Sequence, residues 1–173
     1  YRVATEAGPG NKPAKTLLLD PYAKELDGRY AREATDGACG LYGVLPEPDT
    51  FDWQDDASPC IPMHASVFYE VHVKGATKLL FDIPERIRGT YAGLASAPFV
   101  KHLKALGVTA VDLLPVAESV DEDRLRARGL KNYWGYNPVS FFAVQRRYAA
   151  DPAQARSEFR TMVKALHAAG LEV

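Results

Sequence analysis

Hydrophobic positions downstream of residue 66 predict two strands. In the run VFYEVHV (67–73), β-branched and aromatic residues predominate and Lys74-Gly75 closes the run, which is typical of a strand. The run VTAVDLLPV (108–116) is almost continuously apolar, as expected for a strand covered on both faces. We therefore predict strands at 67–73 and 108–116, with a long loop at about 76–97 following the first.

Apolar residues at helical spacing predict two helices. The first begins at Pro98, where a missing N–H costs nothing, and ends at Gly107. The second begins with Asp151 as N-cap and Pro152 in the first turn, and ends at Gly170. The apolar stripes consist of Phe99, Val100, Leu103 and Leu106 in the first helix and of Phe159, Met162, Val163 and Leu166 in the second.

The alternation of strands and helices predicts an α/β fold with a parallel sheet and right-handed crossovers. Residues 171–173 resemble the start of a third strand, and because both ends of the chain look interrupted we expect it to be part of a longer protein. The loops at 76–97 and 117–150 follow strands, whereas the helix-to-strand turns are minimal. Ligands bind at the carboxyl ends of parallel strands, so these loops are the predicted working face.

The second of these loops contains the aromatic run NYWGYN (132–137). Exposed rings forgo the stabilisation of burial unless they pack on something, so such a cluster in a polar loop needs an explanation. Gly135 lets the backbone bend, so that Trp134 and Tyr136 can face different ways. Flat rings flanked by amides suit a sugar, although the same rings could simply pin the loop to its own domain.

The segment between 27 and 62 lacks periodicity and is rich in Gly, Pro and acidic residues. Its run DTFDWQDD (49–56) embeds two rings among carboxylates. Asp52, Asp55 and Asp56 could be imagined as a calcium site, but the oxygen-ligand loop pattern with its glycine is missing. We interpret the run as a solvated acidic linker.

Composition narrows the function classes. Among 173 residues, 21 Lys plus Arg stand against 22 Asp plus Glu, for a net charge of −1, which gives no electrostatic support for nucleic acid or an anionic membrane as partner. Cys39 and Cys60 could pair but imply no disulfide framework, and we expect a reduced, cytoplasmic setting. The four histidines lack metal-ligand spacing, so no metal or cofactor is expected. We interpret His72 as a hydrogen-bonded histidine rather than one that contacts substrate.

Five segments carry a resemblance to a known family: YEVHVKG (69–75), RGTYAG (88–93), LLPV (113–116), NYWGYN (132–137) and ALHAAG (165–170). In this order they resemble the isoamylase-type glycogen debranching enzymes of glycoside hydrolase family 13, the α-amylase superfamily. YRV (1–3) and LLLDPYAK (17–24) more weakly resemble the end of that family's N-terminal β-sandwich module, which binds carbohydrate.

The resemblance implies three segments: the end of a β-sandwich at 1–30, a linker at 31–66, and the first part of a (β/α)8 TIM barrel at 67–173, with strands one and two and the start of strand three. It implies hydrolysis of α-1,6-glucosidic branch linkages in glycogen or limit dextrin with retention, by two carboxylates about 5–5.5 Å apart. In the family these lie on later strands, so the catalytic acids lie beyond Val173 and the 173-residue chain is expected to be inactive.

The resemblance also implies the substrate-binding residues. Tyr136 matches the tyrosine that stacks under the sugar ring at the cleavage subsite, Asn137 borders that subsite, and Trp134 supports the loop. Two alternatives stay open: a non-catalytic glucan-binding module, and another family 13 enzyme that releases trehalose or introduces branches.

Overall fold

The computed structural model describes residues 3–4, 17–28, 40–46 and 48–173. Cys39 lies outside these residues. Spatial contacts divide the chain into two compact units. The N-terminal unit comprises 1–49, 117–132 and 137–144, and the α/β unit comprises 50–116, 133–136 and 145–173. The division into segments 1–30, 31–66 and 67–173 stays a prediction.

The α/β unit is built on parallel strands. Strand β5 (Phe68–Val71) pairs with β6 (Ala110–Leu113) in parallel, with Phe68 opposite Ala110 and Val71 opposite Leu113. Glu172 forms a further parallel bridge to Ala110 on the other side of β6. The predicted α/β alternation with parallel pairing is therefore confirmed, and the bridge of Glu172 to β6 lies where the start of a third strand was predicted.

The helices of this unit are α1 (Val73–Thr77), α2 (Tyr91–Leu94), α3 (Ala97–Ala105) and α5 (Ala155–Ala168). A further helix, α4 (Asp123–Arg126), belongs to the N-terminal unit. Pro98 lies in the first turn of α3, and Asp151 accepts a hydrogen bond from the N–H of Ala153 in the short 3-10 turn before α5, as capping predicts. The core between strands and helices contains Val71, Val73, Ile83, Tyr91, Leu94, Phe99, Leu103, Val111, Met162, Leu166 and Leu171.

Three expectations for this unit were wrong in detail. The predicted strand 67–73 ends at Val71, because His72 caps α1 instead of continuing the ladder. The predicted loop at 76–97 contains α2, whose N-cap Thr90 accepts from the N–H of Gly93. Leu106, expected in the apolar stripe of α3, is exposed because it follows the last turn of that helix.

The acidic run at 49–56 is exposed at most of its positions, as expected for a solvated run, but it is also attached to α5. His167 on α5 and Asp56 are within hydrogen-bonding distance, with 3.0 Å between Nδ1 and the carboxylate, and both side chains are largely buried. Lys164 Nζ donates to the Asp52 carbonyl and to Gln54 Oε1, each at 3.0 Å. The carboxylates and carbonyls of the run are therefore used to attach it to the basic side of α5.

The N-terminal unit consists of antiparallel pairs. Strands β1 (Val3–Ala4) and β2 (Leu17–Leu18) pair, as do β3 (Leu26–Gly28) and β4 (Leu41–Gly43). The connection at 117–150, predicted as a loop, contains β7 (Ala117–Ser119) and β8 (Pro138–Val144), which pair with two register shifts. Its small core brings together Ala23, Leu26 and Ala143, with Leu19 and Val139 packed against them.

Candidate functional site

The site is organised around His72, at the junction of β5 and α1. Its Nδ1 accepts hydrogen bonds from the N–H groups of Lys74 at 3.1 Å and Gly75 at 3.0 Å, so the imidazole is the N-cap of α1. Because Nδ1 accepts both bonds, the ring proton is assigned to Nε2. The residue that ends the strand is thus also the residue that starts the helix.

The opposite nitrogen of His72 holds the aromatic segment. Nε2–H donates to the carbonyl oxygen of Tyr133 at 2.7 Å. The hydroxyl of Tyr148 lies 3.1 Å from Nε2 and donates to the same carbonyl at 3.4 Å. His72 and Tyr148 are both buried, so this three-membered network fixes the Tyr133 backbone away from bulk water.

Burial also decides the charge of this network. Desolvation lowers the pKa of His72, the hydrogen bond to the Tyr133 carbonyl opposes that change, and the charge of Lys74 adds to it. Desolvation likewise raises the pKa of the Tyr148 phenol, against the opposing charge of Arg147. Both groups are therefore neutral at pH 7, and the network contains no buried charge.

Ring contacts reinforce the polar ones. The His72 and Tyr133 rings stack with centroids 4.1 Å apart at 10°. Trp134 meets His72 edge-on at 6.1 Å and 90° and Tyr133 at 5.2 Å and 86°. Tyr148 approaches His72 edge-on from another side at 5.3 Å. The segment Tyr133–Trp134 is therefore held by both its backbone and its rings.

Two glycines permit this geometry. A Cβ on Gly75 would lie 2.5 Å from the Tyr133 hydroxyl oxygen, so only glycine leaves room for the ring where it stacks. Gly135 has φ of 79°, a left-handed conformation that glycine adopts without strain. The bend expected at Gly135 is confirmed, and it separates the anchored Tyr133–Trp134 from Tyr136.

The sequence-predicted site residues lie in different settings. Trp134 is 55% exposed and Tyr136 is 70% exposed, both in the α/β unit. Asn137 belongs to the N-terminal unit, where its Nδ2 donates to the carbonyl of Val120 at 3.2 Å. In the same unit, Asn132 donates to the carboxylate of Glu122. Both amides are thus used by their own loop, and substrate contact by Trp134, Tyr136 and Asn137 stays a prediction.

Sequence reasoning did not identify Tyr148 or the anchoring role of Tyr133. His72 was expected to be hydrogen-bonded, which is confirmed, but its partners were not foreseen. One signal was present, since His72 directly follows the apolar run of a parallel strand and so lies at the ligand-binding end. Tyr148 is 76 residues away from His72 and carries no comparable signal.

Other kinds of site find no support in the described part of the chain. None of its groups of His, Cys, Asp or Glu brings three members together in an arrangement that could hold a metal ion. Nor does that part contain a helix with the length and apolar character needed to cross a membrane. Cys60 is exposed. The aromatic segment anchored on His72 remains the site on which a function can be argued.

No protein-family model matches the sequence. Among solved structures, the chain is similar to part of several pullulanases. It matches apo pullulanase from Paenibacillus barengoltzii with a TM-score of 0.68 and 24% identity, over 90% of this chain and 25% of that one. It matches pullulanase from Anoxybacillus sp. LM18-11 complexed with maltotetraose with a TM-score of 0.68 and 25% identity, over 90% and 23%.

A third match is pullulanase type I from Bacillus subtilis str. 168 complexed with maltose, with a TM-score of 0.60 and 28% identity, over 90% of this chain and 22% of that one. The chain thus spans about a quarter of the length of the pullulanases it matches. These neighbours relate its fold to part of the α-1,6-debranching enzymes of glycoside hydrolase family 13.

Proposed function

We propose that this chain is part of a family 13 debranching enzyme that hydrolyses α-1,6-glucosidic linkages of branched α-glucan with retention. In this proposal the glucan lies on the exposed ring of Tyr136, and Trp134 supports the loop that carries it. The observation that carries it is the anchored segment itself: His72, directly after β5, fixes Tyr133, and the rings that follow are exposed. The carboxyl ends of parallel strands are where α/β folds bind ligands.

The fold comparisons support the same chemistry. Matching pullulanases were crystallised with maltotetraose and with maltose, which are α-glucans. Sugar rings present C–H faces that pack on aromatic rings, and hydroxyls that bind neighbouring amides.

The finer assignments belong to this proposal. We take β5, β6 and the strand at Glu172 as the first three strands of a (β/α)8 barrel, and the antiparallel N-terminal pairs as the end of a β-sandwich. The catalytic carboxylate pair would lie beyond Val173, so the 173-residue chain binds glucan without cleaving it. The isoamylase-type substrates, glycogen and limit dextrin, are the substrates we propose.

Each site residue has its own part. Tyr136 stacks under a glucose ring, since it is the most exposed ring of the segment. Trp134 supports the loop, as its edge contacts with His72 and Tyr133 suggest. The role of Asn137 beside the subsite rests on the family resemblance, and its Nδ2 donates to the carbonyl of Val120.

The test is titration of the 173-residue chain with maltotetraose, followed by NMR. Tyr136→Ala should weaken binding about tenfold, equivalent to about 1.4 kcal/mol, as expected for loss of one stacked ring. Phe81→Ala is the matched control, because Phe81 is a 77% exposed ring of the same unit that lies outside the aromatic segment. Equal affinity of Tyr136→Ala and the unmodified chain would remove Tyr136 from the site.

A non-catalytic glucan-binding module is the second candidate, because the exposed ring of Tyr136 suffices for binding without chemistry. The release of new reducing ends from glycogen limit dextrin by the complete protein distinguishes a debranching enzyme from a binding module. Linear chains released from limit dextrin indicate debranching, whereas trehalose or new branches would indicate the other family 13 activities. Binding without any release would establish the binding module.

A further inference from the structure

We propose that His72 is the positioning residue of the glucan-binding surface: its Nε2–H, aimed by the capping bonds at Nδ1, fixes the Tyr133 carbonyl and thereby the orientation of Trp134. The ligand in this inference rests on the proposed function. The positioning itself rests on the contacts of His72 alone and is tested separately.

The two nitrogens of His72 do different work. Nδ1 accepts from two backbone N–H groups of α1, which sets the plane of the ring. With the plane set, Nε2–H points at the Tyr133 carbonyl at 2.7 Å, and the ring face lies parallel to the Tyr133 ring. Rotation of the imidazole would break the cap of α1, the bond to the Tyr133 carbonyl and the stack on the Tyr133 ring together. The segment Tyr133–Trp134 therefore takes its orientation from α1.

This arrangement needs a neutral imidazole. Protonation would place a hydrogen on Nδ1 opposite the N–H groups of Lys74 and Gly75, and the cap would be lost. The groups that surround the ring are Lys74 on α1, Tyr133 and Tyr148, with Arg147 beside Tyr148. The charge of Lys74 disfavours a further positive charge on the ring, and the Tyr148 phenol, whose pKa is raised by burial, is neutral at pH 7.

Two substitutions separate the roles of the nitrogens. In His72→Asn, the amide oxygen takes the place of Nδ1 and can cap α1, but the donor to Tyr133 is lost. In His72→Gln, the amide nitrogen takes the place of Nε2 and can still donate to the Tyr133 carbonyl, while the cap is lost. A role confined to stabilising α1 would make Asn the better replacement, whereas positioning makes Gln the better one.

Maltotetraose affinity is the first readout. We expect His72→Gln to bind about two- to threefold more weakly than the unmodified chain, because its donor is kept but is no longer aimed by the cap, and His72→Asn to bind about five- to tenfold more weakly because the donor is lost. Far-UV circular dichroism at the titration temperature must show that both variants are folded. If one of them is not folded, Tyr148→Phe is titrated in its place. This variant removes a second donor to the Tyr133 carbonyl and should weaken binding about twofold. Equal binding by His72→Asn and the unmodified chain would overturn the proposal.

Trp134 gives a readout that needs no sugar. The two tryptophans are Trp53 and Trp134, so Trp53→Phe leaves an indole 6.1 Å from His72 as the sole reporter. A protonated imidazole quenches indole emission, and burial lowers the pKa of His72, so emission should fall as the pH drops below about 6.5. The same background carrying His72→Gln should lack this transition, and coincident profiles would contradict the proposal.

Maltotetraose affinity and Trp134 emission together distinguish a failure of the proposed function from a failure of the positioning role of His72. If the unmodified chain does not bind maltotetraose but Trp134 emission follows His72, the proposed function fails and the positioning stands. If the chain binds but neither His72→Asn nor acid changes Trp134 or the affinity, the proposed function stands and His72 is not the positioning residue.

Discussion

Two loop segments of the α/β unit carry clustered aromatic rings, and they use them differently. In 51–53, the Phe51 and Trp53 rings meet edge-on at 4.8 Å, and the Arg160 guanidinium of α5 lies 5.4 Å from the Phe51 centroid and 5.8 Å from that of Trp53. The rings and the neighbouring polar groups all contact α5. This segment uses its aromatic residues for attachment.

In Tyr133–Tyr136 the first two rings serve for attachment, whereas the last ring does not. Tyr133 stacks on His72, Trp134 adds its edge, and the left-handed Gly135 then turns the chain so that Tyr136 is exposed. The attachment here is made to one buried histidine rather than to the cations of a helix. The comparison shows that an aromatic loop becomes a binding candidate when its anchor and its exposed ring are different residues.

His72→Ala should have the largest effect on stability. It removes the N-cap, the Tyr133 stack and the donor to the Tyr133 carbonyl, each contributing about 1 kcal/mol, for a loss of about 3 kcal/mol in the free energy of unfolding. Urea denaturation of the 173-residue chain measures it. His64→Ala, at an exposed histidine of the same unit, should change stability by less than about 0.5 kcal/mol. Similar values for both variants would show that His72 is not the anchor.

Trp53→Ala tests the other segment. Loss of the edge contact with Phe51 and of the Arg160 interaction should cost about 1.5 kcal/mol. Glucan affinity should stay unchanged, because this segment uses its rings for attachment. Trp53→Phe, which keeps a ring, should recover most of the stability in the same urea experiment. If folded Trp53→Ala bound maltotetraose more weakly than the unmodified chain, the conclusion that 51–53 uses its rings only for attachment would be wrong.

Tyr148→Phe sharpens the description of the anchor. Removing the hydroxyl takes one donor from the Tyr133 carbonyl and should cost about 1 kcal/mol at pH 7. Burial raises the pKa of Tyr148, so the folded chain keeps the phenol neutral while the unfolded chain ionises from about pH 10. The stabilisation is therefore present below pH 10 and is lost as the pH rises above it. Tyr148→Phe should show a smaller alkaline loss, and identical alkaline profiles would contradict this.

The sequence predicted the scaffold better than the anchor. Helix caps such as Asp151 and the apolar stripe of α5 are local patterns, so α5 and the parallel order of strands could be predicted. The cap at His72 was missed because the β-branched residues of 67–73 favour a strand throughout. The strand ends only because the His72 side chain accepts hydrogen bonds from the first N–H groups of α1. The attachment of 49–56 to α5 and the contact of Tyr148 with His72 join residues far apart in sequence, which periodicity does not encode.

The smallest effect on stability is expected at Tyr136, and Tyr133 in the same segment is its matched control. Tyr133→Ala removes the stacked ring and should cost about 1.5 kcal/mol, whereas Tyr136→Ala should change the free energy of unfolding by less than about 0.5 kcal/mol, because Tyr136 is 70% exposed. Tyr136→Ala should nevertheless lose glucan affinity. A ring that binds sugar must keep a free face, so its loss lowers glucan affinity and leaves the free energy of unfolding almost unchanged. A ring packed against its own protein has no free face for a sugar, so its loss lowers stability instead. If urea denaturation showed Tyr136→Ala to be as destabilised as Tyr133→Ala, the whole segment would serve attachment, as 51–53 does.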